Sequence, residues 1–174
     1  LSTMFMIHPG TGGCEAYFSL ANKLASSFSC FGVDSHNLYN EEKIYDLHQL
    51  ATYYLKHIDQ VLETTGQRDY HLLGWSLGGQ IALEIAAILE QRGYKQIKVY
   101  ALDTVLYDEH LISLSANVDT EYLKNEYRHY AKKQHFDESY INKVVTNIDV
   151  EGGFSKQFIC SKLVVTKVLL FKAM

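Results

Sequence analysis

The chain has 174 residues, 47 % of them apolar, and sets 16 Lys and Arg against 20 Asp and Glu for a net charge of −4. That length fits one domain with a buried core, at about 100–200 residues per domain. The mild acidity leaves no electrostatic footprint for nucleic acid or an anionic membrane, and no apolar run approaches the roughly 20 residues of a membrane span.

In chain order, residues 4–7 form a short apolar run that predicts a buried strand. A loop with three glycines follows, His8-Pro9-Gly10-Thr11-Gly12-Gly13, and it holds the only proline of the chain. Tyr17, Leu20, Ala21, Leu24 and Ala25 fall at helical spacing and predict a helix over 15–27. Residues 30–33 read as a second strand. Leu47, Leu50, Ala51, Tyr54, Leu55, Ile58, Val61 and Leu62 step by three and four, which predicts an amphipathic helix opened by Asp46 and closed by Gly66. A strand over 70–73, a dense apolar helix over 77–92 stopped by Gly93, and a strand over 97–102 complete this half. Strand–helix alternation at this spacing predicts an α/β fold, a mostly parallel sheet with helices on both faces.

The rhythm changes after Asp103. Residues 119–133 and 137–147 predict polar helices rich in tyrosine (Tyr122, Tyr127, Tyr130, Tyr140), a helical insertion over about 105–160. The apolar, β-branched stretch 163–171 returns to the sheet. One domain therefore spans 1–174, with its core in 1–104 and 161–174. The first residues lack the basic and apolar regions of a signal peptide. Cys14, Cys30 and Cys160 form no CxxC pair and read as free thiols of a reducing, cytoplasmic compartment.

The sharpest chemical signal is Gly74-Trp75-Ser76-Leu77-Gly78-Gly79. G-x-S-x-G alone arises by chance in roughly one chain in twenty of this size, so its setting decides. Here it lies between a predicted strand and a predicted helix. That is where a nucleophile elbow belongs, because a sharp turn there holds the serine in a strained conformation. Gly74 and Gly78 lack the Cβ atoms that would collide across such a turn. The bland alternative is a tight turn with a capping serine.

A serine nucleophile needs a base, and the base an orienting carboxylate. Asp103, 27 residues after Ser76 (103 − 76), follows the strand next in order. One strand–helix–strand crossover of about 30 residues places it beside the serine. An oxyanion hole needs two N–H donors, one from the residue after the serine and one from the first strand's loop. Leu77 supplies the first; Gly10 is the candidate for the second, with Thr11 behind it. His8 precedes the serine and is expected to order the loop by hydrogen bonding. Cys14 either faces the site or packs as a small thiol, and the tyrosines of 122–140 either line a channel or pack helix on helix.

The His-Pro-Gly-x-Gly-Gly loop, Gly-Trp-Ser-Leu-Gly-Gly, Leu-Asp-Thr at 102–104 and Tyr17 together resemble the thioesterase domains of nonribosomal peptide synthetases and polyketide synthases. These are a branch of the α/β-hydrolases that works in antibiotic biosynthesis. The resemblance covers residues 4–104, fades through 105–160, where the family has a variable lid, and returns near 163–173. It implies release of an acyl or peptidyl chain from the phosphopantetheine thioester of a carrier protein. The chain passes to Ser76 as an ester, then to water or an internal nucleophile. Gly74, Gly78, Gly79 and Pro9 would support the elbow and loop, with no bound cofactor, no metal, and an acyl or peptidyl carrier protein, in cis or in trans, as partner.

Of the eight histidines only His110, His129 and His135 follow Asp103. None sits where a base is wanted, and in the resembled family the histidine follows a later strand. The expectation is that the catalytic histidine lies beyond Met174 and that the chain is a C-terminally truncated piece, active slowly or not at all. The alternatives are a small-molecule esterase or lipase of the same fold, and an inactive fragment that only binds a carrier protein. Oligomeric state and acyl substrate leave no trace in the sequence.

Overall fold

The computed structural model describes residues 1–106, 119–157 and 163–174; His110, Cys160 and the boundaries expected at 160 and 161 lie outside them. Five parallel strands, β1 (Ser2–Ile7), β2 (Phe28–Val33), β3 (Tyr70–Trp75), β4 (Ile97–Leu102) and β5 (Lys167–Phe171), form one sheet in the order β2-β1-β3-β4-β5. Parallel strands need crossovers, and the helices that supply them cover the sheet. They are α1 (Phe18–Leu24), α2 (His36–Tyr39), α3 (Leu47–Thr65) and α4 (Leu77–Gln91).

The two faces are filled differently. On one, Phe5, Leu72 and Val99 meet Leu50, Leu55 and Ile58 of α3 and Ile81, Ile85 and Leu89 of α4, all almost fully buried. Each such side chain contributes about 1.5–3 kcal/mol on burial. On the other, Met4, Met6 and Leu73 pack on Tyr17 and the partly buried Leu20, Ala21 and Leu24 beside the short α1.

Local chemistry explains the boundaries. The Asp46 side chain accepts the Gln49 N–H at 2.8 Å and opens α3, and Gly66 ends it at φ 70°. Such a left-handed residue is the usual glycine stop of a helix. The helix expected over 15–27 is shorter in the structure: a 3₁₀ turn, Cys14–Tyr17, precedes α1. The last strand begins at Lys167 rather than 163 because the Glu90 carboxylate takes the N–H groups of Val164, Val165 and Thr166 at 2.6–2.9 Å. Those amides are therefore committed before the sheet starts.

The insertion contributes α5 (Thr120–Lys133), α6 (Glu138–Glu151) and α7 (Phe154–Gln157). Helices α5 and α6 form a small core of their own from Tyr127, Ala131, Ile141, Val144 and Ile148, joined by Leu38 of α2. Lys124 ties them, 2.6 Å from Asp149 and 3.0 Å from Glu121. Phe154 then returns the chain to the main core. Among the described residues no helix is long and apolar enough to cross a membrane.

Candidate active site

Ser76 stands where β3 ends and α4 begins, with φ 54° and ψ −117°, exposed to solvent. A non-glycine residue there is strained and persists only where its surroundings over-determine it. Three groups do so here. The Ser76 N–H donates to the Leu102 carbonyl at 2.9 Å. The Ser76 carbonyl accepts from the Gly79 N–H and from the Thr104 hydroxyl, both at 3.1 Å. A side chain at Gly74 would collide with the backbone of Gly78 and Gly79, and one at Gly78 would meet the His8 carbonyl carbon at 3.2 Å and its oxygen at 2.7 Å. At Gly79 the space is taken by Thr104, whose Cβ lies 2.9 Å from the place of an added methyl.

Register brings the acid to the serine. Trp75 and Leu102 are partners in the β3–β4 ladder, so Ser76 and Asp103 leave adjacent strand ends side by side. Asp103 is also at positive φ, 43°, and its N–H donates to the Phe171 carbonyl at 2.6 Å. Its half-exposed carboxylate lies 3.9 Å from the Lys172 ammonium. No described histidine is hydrogen-bonded to it. Of the three histidines that follow it, His129 is exposed on α5 and His135 is the left-handed stop after that helix, at φ 57°. His110 lies outside the described residues.

The loop after β1 is built as a ledge beside the elbow. Pro9 accepts the Gly12 N–H at 2.9 Å and the His8 Nδ1 at 2.8 Å. A carbonyl only accepts, so Nδ1 carries a proton, and Nε2 lies 2.9 Å from the Tyr54 hydroxyl. His8 is completely buried and orders the loop. Gly10 faces open space, with nothing within 4 Å of where a side chain would begin, so its backbone is approachable. Leu77, first residue of α4, has no carbonyl of its own helix to take its N–H. The N-terminus of α4 favours negative charge beside the serine.

Three residues do more than the sequence disclosed. Tyr17 is a bolt: its hydroxyl donates to the Ile7 carbonyl and accepts the Trp75 N–H, both at 2.7 Å, joining the ledge strand to the elbow strand. Burial pushes its pKa up and keeps the phenol protonated as that donor. Thr104 locks the elbow, and only its place after Leu-Asp hinted at it. Glu151, 2 % exposed at the end of α6, accepts the Ser35 hydroxyl at 2.5 Å, while the Ser35 N–H donates to Gly12 at 2.8 Å. An acid in a helix's last turn opposes the helix dipole, which was its one available signal. Cys14 packs as a buried thiol, its Sγ 3.4 Å from the Met6 carbonyl. Tyr127 and Tyr140 join the small core of the insertion, whereas Tyr122 and Tyr130 are exposed. The described residues contain no cluster of His, Cys, Asp or Glu placed to hold a metal ion.

Comparison with known proteins places this geometry. The family model "Thioesterase domain" matches residues 2–169. The chain is 38 % identical over 92 residues to N-(5-amino-5-carboxypentanoyl)-L-cysteinyl-D-valine synthase of Amycolatopsis lactamdurans, which is 52 % of this chain and 2 % of that protein. It is 28 % identical over 119 residues to a dimodular nonribosomal peptide synthase of Bacillus subtilis, 68 % of this chain and 5 % of that one. The chain therefore spans a small part of these relatives. Among solved structures, the NocB thioesterase domain in covalent complex with a fluorophosphonate nocardicin G analog superposes with TM-score 0.74 at 21 % identity, covering 98 % of this chain and 72 % of that one. The surfactin-cyclising thioesterase domain SrfTE gives 0.67 at 18 %, covering 99 % and 68 %. The architecture is that of the α/β-hydrolases.

Proposed function

We propose, on the premise that this chain belongs to the thioesterase-domain family, that Ser76 takes an acyl or peptidyl chain from the phosphopantetheine thioester of a carrier protein. It then releases the chain to water or to a nucleophile within it. The observation that carries this reading is Ser76 itself, exposed at φ 54° between a parallel strand and the helix it caps. The peptide-synthase relatives support the substrate class.

In this mechanism a base removes the Ser76 hydroxyl proton as Oγ attacks the thioester carbonyl carbon. The carbonyl electron pair moves onto oxygen, and the oxyanion sits between the N–H groups of Leu77 and Gly10. Collapse re-forms the carbonyl and breaks the C–S bond; the departing thiolate takes the proton back from the base. The second half repeats these steps with water or an internal hydroxyl or amine as attacker and Ser76 as leaving group. Asp103 orients the base, a histidine. Gly74, Gly78, Gly79 and Pro9 hold the elbow and ledge.

A fluorophosphonate added to the parent polypeptide, with any sequence that follows Met174 included, is expected to modify the peptide containing Ser76, read by intact and peptide mass. Loss of the adduct in Ser76→Ala supports the assignment, and an unmodified parent refutes it. Turnover of an acyl-pantetheine thioester against the matching oxygen ester then tests the substrate class. Preference for the oxygen ester favours a general esterase instead.

A further inference from the structure

Glu151, the last residue of α6, is 2 % exposed, and one oxygen of its carboxylate lies 3.7 Å from the His8 Nδ1 at the root of the ledge. Its Oε1 accepts the Ser35 hydroxyl at 2.5 Å and the Asn37 side-chain amide at 3.4 Å. Among the described residues its Oε2 has no hydrogen-bond partner. A buried acid with one oxygen unpaired costs a fold more than an apolar side chain in the same place. Stability gives no reason for a carboxylate here, and the groups around it do.

Those groups build the ledge. Ser35 gives its hydroxyl to Glu151 and its N–H to the Gly12 carbonyl, the latter at 2.8 Å. Gly12, at φ 89°, donates its own N–H to the Pro9 carbonyl at 2.9 Å, which closes a turn around Gly10 and Thr11. The same Pro9 carbonyl accepts from His8 Nδ1. Helix α6 also touches the turn directly. A side chain at Gly12 would meet the Asn147 amide nitrogen at 2.9 Å, and that nitrogen donates to Ser35 Oγ at 3.3 Å. Asn147 and Glu151 are one helical turn apart and share a face of α6. The insertion therefore grips the ledge at Gly12 through a single buried serine.

We infer that Glu151 is a positioning residue for the oxyanion ledge. Through Ser35 it ties the insertion to the Gly12 end of the turn, so that the docking of α6 sets where the Gly10 N–H stands. The inference rests on the thioesterase reading for what that N–H does. A donor serves an oxyanion only when held within about 0.5 Å of its working place. A loop with glycine at 10, 12 and 13 has few side chains of its own to hold it there.

The test uses the parent polypeptide, with any sequence that follows Met174 included, and an acyl-pantetheine thioester. Glu151→Ala is expected to lower kcat about a hundredfold with KM within about twofold, the loss that follows removal of one oxyanion donor. Glu151→Gln keeps an oxygen for the Ser35 hydroxyl and should recover most of that loss. Val144→Ala, which loosens the insertion's own core, should lower the melting temperature and leave kcat within about twofold. Amide hydrogen exchange over residues 8–13 should quicken about tenfold in Glu151→Ala and return in Glu151→Gln. An unchanged kcat in Glu151→Ala, no recovery in Glu151→Gln, or an equal kcat loss in Val144→Ala overturns the assignment. Exchange needs no turnover, so it separates the two readings. Quickened and restored exchange in a polypeptide that fluorophosphonate leaves unmodified supports the clamp while refuting the serine mechanism. A modified Ser76 with unchanged exchange does the reverse.

Discussion

The serine elbow and the acid loop end on paired residues of neighbouring strands, and each holds a non-glycine residue at positive φ, yet they are secured by different means. Around Ser76 the side chains that brace the elbow are buried: Tyr17 from one side and Thr104 from the other, with a helix start too close to admit a Cβ. Around Asp103 the supports come from the edge strand β5, where Leu170 and Phe171 are about half exposed and the facing Lys172 is in solvent. Strain can be stored where packing has no room to yield. The geometry of Ser76 is fixed by the core, and that of Asp103 by the edge of the sheet.

That contrast can be broken from its strong side first. Gly74→Ala should cost about 3 kcal/mol in urea unfolding, because the new methyl meets backbone atoms that cannot move. Tyr17→Phe should cost about 2 kcal/mol, leaving the Trp75 N–H and the Ile7 carbonyl without their partner. Ser76→Gly should instead stabilise the chain by about 1 kcal/mol, since glycine adopts the strained conformation freely, while removing any fluorophosphonate adduct.

The edge side should respond weakly and to pH. Burial raises the Glu90 pKa, but the hydrogen bonds from the Thr166 hydroxyl and the amides of Val164, Thr166 and Val165 outweigh it and hold the group at about 2 rather than its ordinary 4.5. A depressed carboxylate stabilises the fold fully above its ordinary value and loses that contribution as pH falls toward about 2. Thermal melts of Glu90→Gln should therefore fall below those of the parent at neutral pH, by less than about 1 kcal/mol after solvent screening, and converge with them toward pH 2. Smallest of all, Asp103→Asn should leave stability within about 0.5 kcal/mol, because its carboxylate is half exposed and its ion pair with Lys172 is long, 3.9 Å. A loss as large as that of Gly74→Ala would place the acid loop in the core with the elbow.

Much of this frame was legible in the residues. The strand over 97–102, the cap at Asp46 and the stop at Gly66 stand as the pattern predicts, since each depends on neighbours a few residues away. The helix expected over 15–27 failed at its start and its end. Its apolar spacing is continuous, but Cys14–Tyr17 is wound as a tighter turn, in the segment whose Tyr17 hydroxyl bridges two strands. At the site, Ser76, Leu77 and Asp103 were readable because a turn, a helix start and a crossover length are short-range facts. Glu151 was not, since its partner Ser35 is 116 residues away.

By itself, then, the sequence determined the alternation of strands and helices, the glycines that permit the elbow, and the spacing that brings an acid to the next strand end. Only the tertiary structure decided that β2 lies outside β1 and β5 outside β4, that Tyr17 bolts the ledge to the elbow, and that Glu151 of the insertion is joined to the ledge through Ser35. The reason is physical. Local elements follow from dihedral preference and apolar period along a few residues, whereas neighbours across the fold are chosen by how all the buried faces pack at once.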